Sequence, residues 1–175
     1  MVLRSAGDRR PRVGPDVYVD ESAVVIGDVD LQDRSSVWPG AVLRADDDRM
    51  EIGRGSAVMD VAFLEAPKGR PVVVGDSCII SHGARLHGCQ VGSECLIGIG
   101  AILLDGVTLG ERSVVAAGSL LPPGTRIPPE SFVMGSPGKV TRNTSQADQK
   151  WLREELQMLR EKAARYSRQA ASGGI

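Results

Sequence analysis

Aromatic residues are nearly missing from this 175-residue chain, which has two Trp, two Tyr and two Phe, 3% in all. Globular cores usually take much of their buried area from rings, so something else must fill this interior. Long apolar runs are missing too. None approaches the roughly 20 residues that span a bilayer, which excludes a transmembrane helix. The N-terminal MVLRSAGDRRPR lacks the apolar stretch of a secretory leader, so the expected location is the cytoplasm. Three Cys (78, 89 and 95) make an odd number and do not read as a disulfide framework. Neither sign of charge dominates: 21 Lys and Arg face 22 Asp and Glu, for a formal net charge of −1. That balance gives no electrostatic reason to expect a nucleic-acid or anionic-membrane partner. What the chain has in quantity is glycine, 21 residues.

A six-residue period accounts for this composition. Aliphatic side chains fall at Val13, Val19, Val25, Leu31, Val37 and Leu43. After three extra residues the series resumes at Ile52, Val58 and Leu64, and after four more at Val74, Ile80 and Leu86. One residue is then dropped, and the run continues at Val91, Ile97, Leu103, Leu109, Val115, Leu121, Ile127 and Val133. The position four after the aliphatic is most often small, as at Ala23, Ser35, Ala41, Ser56, Cys78, Ala84 and Cys95. Internal periods of this kind signal a solenoid. Each hexapeptide reads as a short strand plus a turn, and three make one triangular coil of a parallel β-helix. Coils stack at the strand spacing of about 4.8 Å. The interior is then a column of Val, Ile and Leu with no room for rings.

The fold class expected is all-β, a parallel β-helix of hexapeptide repeats over 1–140 with a C-terminal α-helix in 141–170. The helix follows from Leu152, Leu156, Leu159, Ala163 and Tyr166, which share one face at helical spacing. Ser145 and Asp148 form its capping pair. The tail, 171–175, reads as disordered. Two insertions, 45–51 (ADDDRME) and 66–71 (APKGRP), are expected to bulge from the solenoid.

The repeat register aligns side chains from different coils. Leu43, Leu64, Leu86 and Leu103 are equivalent, and the residue after each points outward: Arg44, Glu65, His87 and Leu104. Arg44, Glu65 and His87 therefore form a vertical ladder. Val58 and Ile80 are equivalent as well, which stacks Asp60 on His82 along a corner. His82 and His87, the only two His, sit on adjoining faces of one coil and diverge. A metal held by both is better shared with a second subunit. Trp38, outward on the face preceding Arg44, is expected to make a subunit contact.

At SHGARLHGC (81–89) the sequence resembles the γ-class carbonic anhydrase family. The similarity extends through VWPGAVLRAD (37–46), residues 95–124 and VMGSPGKV (133–140), and so covers nearly the whole chain. The resemblance implies left-handed coiling and a homotrimer with metal sites between subunits. It implies Zn2+, or alternatively Fe2+ or Co2+, on three ligands: positions 65 and 87 of one subunit and His82 of its neighbour. The family's interface Arg and Asp fall on Arg44 and Asp60, and a further family Asp on Asp46. Two departures stand out. The first family ligand is His where this chain has Glu65, and a polar pair of the family becomes Ala57 and Met59, which leaves a more apolar wall.

Three roles are open to Glu65: metal ligand, ion-pair partner of Arg44, or general acid or base. Ligation ranks first, because the register puts Glu65 beside His87 and the family has its donor there. A carboxylate donor makes a metal less electrophilic, the wrong direction for fast CO2 hydration near pH 7. The resemblance implies a lyase whose default reaction is reversible hydration of CO2 by metal-bound hydroxide at the trimer interface, weakened by Glu65. One alternative is another metal-dependent lyase or hydrolase reaction, on a CoA thioester or carboxylated metabolite. A second is a non-catalytic trimeric assembly protein. An acyltransferase ranks lower, since no extra coils build an acyl-CoA groove.

Overall fold

The aliphatic columns read from the sequence become the inside of a stack of parallel strands. The computed structural model describes residues 2–171. One column runs Val19, Val37, Val58, Ile80, Ile97, Val115 and Val133, seven levels joined by parallel pairing. A second runs Val25, Leu43, Leu64, Leu86, Leu103 and Leu121. A third runs Val13, Leu31, Ile52, Val74, Val91, Leu109 and Ile127. Apart from the first residues of the columns, all are buried. Most strands are only two or three residues long, because each coil must turn at every sixth residue. Their stability comes from the next coil above and below, as in any solenoid.

The small residues of the repeat fill the corners and tie them together. Ser56 Oγ donates to the Gly75 carbonyl at 2.8 Å and accepts from the Cys78 N–H at 2.9 Å. Cys78 and Cys95 continue this stack by donating to the Gly92 and Gly110 carbonyls. The turns themselves need left-handed backbone, and stacked levels of one corner place Gly40, Gly83, Gly100 and Gly118 there. The intervening level is Val61 at φ 51°, a β-branched residue where the others have glycine.

The insertions are smaller than expected. Residues 42–52 form one 11-residue strand, and only 46–49 loop out, opposite the single residue Asp28. Ala45 and Met50 are fully buried, so the core holds both ends of this bulge. In the second insertion Ala66 is buried, and Arg70 N–H closes the turn onto the Pro67 carbonyl at 2.9 Å.

The stack ends in an antiparallel hairpin. Ser131–Gly135 pairs with Gly138–Asn143, so the chain is still extended at 141, where the sequence reading starts its helical segment. The helix is Gln146–Ala171. Its start is set by Ser145 and Asp148, which exchange hydrogen bonds: Ser145 N–H donates to Asp148 at 2.7 Å and Asp148 N–H to Ser145 Oγ at 3.2 Å. Leu152, Leu156, Leu159 and Ala163 pack on Tyr18, Trp38, Ala57, Met59 and Ile79. The tail expected at 171–175 lies, from 172 onward, outside the described residues. Among those residues, no helix is long and apolar enough to cross a membrane.

Trp38 is a correction. The sequence reading made it a subunit contact, but it is 1% exposed. It donates to Ser36 Oγ at 3.0 Å and sits in an edge-on aromatic cluster with Tyr18 and Tyr166 under the helix. Three of the six aromatic residues of this chain are thus outside the solenoid or on its outer face.

Asp148 gives the helix cap a pH signature. Its hydrogen bond from Arg142, helped by Ser145, holds the carboxyl well below the ordinary carboxylate range. A depressed value in the folded state stabilises the fold above the unfolded carboxylate pKa of about 3.9, and this is lost as pH falls toward the folded value. Asp148→Asn is expected to cost about 1 kcal/mol at pH 7. Urea unfolding should show that difference shrinking steadily below about pH 4; a difference independent of pH would contradict the assignment.

Candidate functional site

The outward ladder predicted by the register is present. Arg44 is paired with Glu65, and Glu65 with His87, on three consecutive strands. The Arg44 guanidinium donates to Glu65 Oε1, and its Nε lies 3.7 Å from Asp46 Oδ1. The Glu65 hydrogen bond keeps that guanidinium more firmly protonated than a free one. The other carboxylate oxygen, Glu65 Oε2, faces His87 Nε2 at 3.8 Å. Of these side chains Glu65 is the most enclosed, 19% exposed.

His82 belongs to another face. It follows the strand Ile79–Ile80, and its Nδ1 lies 3.0 Å from Asp60 Oδ2 on the coil before, as the corner stacking predicted. Nδ1 thus faces that carboxylate at ion-pair distance, without the alignment of a hydrogen bond. Within one chain the structure therefore brings together Arg44, Asp46, Glu65 and His87, and separately Asp60 and His82. Among the described residues of a single chain, no three His, Cys, Asp or Glu converge as a metal cluster.

Asp105 was missed by sequence reasoning. Its Oδ1 lies 3.1 Å from His87 Nδ1. The ladder rule named Leu104 as the next outward neighbour, because Leu86 pairs with Leu103. Beyond that strand the offset between coils grows from 17 to 18, since Val91 pairs with Leu109. The added residue brings Asp105 alongside His87. The dropped residue between Leu86 and Val91 was the available signal.

The departures at Ala57 and Met59 have a structural cause. Both lie on the face covered by the C-terminal helix, Ala57 fully buried and Met59 5% exposed. Polar side chains there would lose water to Leu156 and Leu159 without partners. Met59 also reaches a cavity of about 590 Å³ between helix and sheet, lined by His82, Ile99, Val114, Phe132 and Trp151. The wall beside His82 is apolar, as the substitution suggested.

Seven hexapeptide coils, a closing hairpin and a docked helix define this as a hexapeptide-repeat β-helix protein. Residues 88–123 match the family profile of the bacterial transferase hexapeptide (six repeats). The chain is 37% identical over 154 residues to the probable carbonic anhydrase of Methanocaldococcus jannaschii, covering 88% of this chain and 92% of that protein. It is 39% identical over 146 residues to mitochondrial γ carbonic anhydrase 2 of Arabidopsis thaliana, covering 80% of this chain. The chain spans only 52% of that plant protein and 60% of its γ carbonic anhydrase 1. Among solved structures, a Bacillus cereus protein described as a candidate acetyltransferase superposes with a TM-score of 0.92 at 30% identity, covering 94% of this chain and 96% of that one. The chain belongs to the hexapeptide-repeat family, in the group that holds the γ-class carbonic anhydrases.

The cysteines take no part in the site. All three are free and buried, and burial pushes the Cys89 thiol up to about 12. Cys89 lies in the core two residues past His87, so it faces away from any ligand of that side chain. Ellman's reagent at pH 8 should therefore find no reactive thiol in the native protein and three per chain in guanidinium. Rapid reaction of one thiol in the native state would place Cys89 at the surface of the site.

Proposed function

We propose that this protein is a γ-carbonic anhydrase-like metalloenzyme, a homotrimer in which Glu65 and His87 of one subunit and His82 of the next hold one divalent ion. Zn2+ suits two imidazoles and a carboxylate, and so do Fe2+ and Co2+. The observation that carries this reading is the orientation of the two histidines. Each turns its Nδ1 to a carboxylate, by a hydrogen bond to Asp105 for His87 and at 3.0 Å from Asp60 for His82, and neither Nε2 makes a hydrogen bond. Metal-binding histidines are held in this way. Glu65 is held likewise: Arg44 takes Oε1, and Oε2 is free toward His87. Their 3.8 Å separation is less than two metal–donor bonds of about 2.0–2.2 Å each.

When bound, the ion supplies Lewis-acid activation of water toward CO2. The protein's own groups do the rest. Arg44 makes Glu65 a single-ended donor, because the guanidinium engages only one of its oxygens. Asp46, on the exposed bulge 3.7 Å from Arg44 Nε, takes the role of proton acceptor to solvent. Met59 and Ile99 give an apolar wall beside His82. With a carboxylate among the donors, CO2 hydration is slow relative to a three-histidine centre.

The apolar cavity beside His82 favours a second reading on the same ligands. At about 590 Å³ it far exceeds CO2, and it lies in the size range of small-molecule pockets. A metal-assisted hydrolase or lyase reaction on a CoA thioester or carboxylated metabolite fits that space. Acyl transfer, which the Bacillus cereus relative's description suggests, leaves the paired histidines without a role.

Metal analysis of protein purified without added metal is expected to find close to one equivalent per subunit. Less than a tenth of an equivalent overturns both readings and leaves the assembly protein. Stopped-flow hydration of CO2 should then be slow in the wild type and at least tenfold faster in Glu65→His. A fast wild type with no gain on substitution would refute the account of Glu65. Slow hydration by both proteins directs the search to thioesters.

A further inference from the structure

His87 sits between two carboxylates, and the two contacts are unequal. Nδ1 is 3.1 Å from Asp105 Oδ1, a hydrogen bond, while Nε2 is 3.8 Å from Glu65 Oε2, beyond one. Because an ionised carboxylate accepts only, the proton of a neutral His87 is drawn to Nδ1 and the lone pair is left on Nε2. Free histidine side chains prefer the opposite arrangement, with the proton on Nε2.

Asp105 is itself held. Arg70, carried by the 66–71 insertion, places its Nε 3.7 Å from the same Asp105 oxygen. The two side chains close over Gly88, the residue after His87. A Cβ at Gly88 would lie 2.9 Å from both Asp105 Oδ1 and Arg70 Cβ, and Gly88 has φ +53°, so glycine is what allows this approach. Gly106 N–H donates to the Gly88 carbonyl at 2.7 Å, which fixes the turn that carries Asp105 to the turn that follows His87.

We propose that Asp105 is a positioning residue that sets the tautomer of His87 and aims its Nε2 at Glu65, and that Arg70 holds Asp105 in place. Asp60 faces His82 Nδ1 in a comparable position, at 3.0 Å. This gives the second insertion a purpose: it brings a cation to the carboxylate behind the ladder. The inference rests on His87 being a metal donor, but its central claim concerns a proton in the metal-free protein and can be read there.

The test is histidine-labelled, metal-free protein at a pH where imidazole is neutral, with long-range 1H–15N correlations reporting the tautomer of each ring. His87 is expected to carry its proton on Nδ1 in the wild type and to revert to Nε2 in Asp105→Leu, while His82 is unchanged. Asp105→Asn, whose amide oxygen still accepts, should retain the Nδ1 proton. Zinc affinity, measured by competition with a chelating dye, should fall 10- to 100-fold in Asp105→Leu and by less in Arg70→Gln. An Nε2 proton on His87 in the wild type overturns the proposal without need of any variant. So does an unchanged tautomer in a folded Asp105→Leu. A wild type that binds no zinc but carries the Nδ1 proton sinks the metal reading and sustains this one.

Discussion

Everything in this molecule hangs on one packing constraint, the stacking of inward aliphatic side chains on their counterparts one coil above and below. Leu43, Leu64, Leu86 and Leu103 form such a column, each fully buried and joined by parallel backbone pairing. Since most strands are only two or three residues long, a coil gains little from its own contacts and most from its neighbours. The column must therefore stay in register. Outward side chains inherit that register without contributing to it, which is how Arg44, Glu65 and His87 come to lie in line.

The site exploits this division of labour. The inside of the solenoid supplies rigidity, and the outside supplies chemistry at fixed steps along the stack. Each group that could hold a ligand is backed by a second group of opposite character: Glu65 by Arg44, His82 by Asp60, His87 by Asp105. Such backing restricts the rotamers and protonation of the donors before any ligand arrives, and so lowers the entropy that binding must overcome. The two histidines face away from each other because they lie on adjoining sides of a triangle. Among the described residues of one chain they do not converge with other ligating groups into a metal cluster.

The C-terminal helix changes what the outer face can be. By covering Tyr18, Trp38, Ala57 and Ile79 it turns one side of the solenoid into a second core, which holds three of the six rings. Met59 lies at the border of that core and of the cavity beside His82. Loss of polarity at this position thus serves helix docking as well as the character of the site wall. The relation between the two is a matter of packing: the same methionine cannot be changed for one without affecting the other.

The period, the ladder and the corner pair were all legible in the chain itself. A repeat whose unit is also its turn leaves one way to align successive coils, so counting residues amounts to measuring distance along the stack. The same counting failed where it met irregularity. It predicted Leu104 beside His87 because it carried an offset of 17 past the point where the offset becomes 18, and it passed over Asp105. It could say that residues 152–166 form an amphipathic helix, but not which face the helix covers. Trp38 was accordingly read as a subunit contact. Local periodicity determined the elements and their order, because each depends on neighbours six residues away. Where the helix lies, and which carboxylate backs His87, depended on contacts between distant segments. The tertiary structure alone decides these.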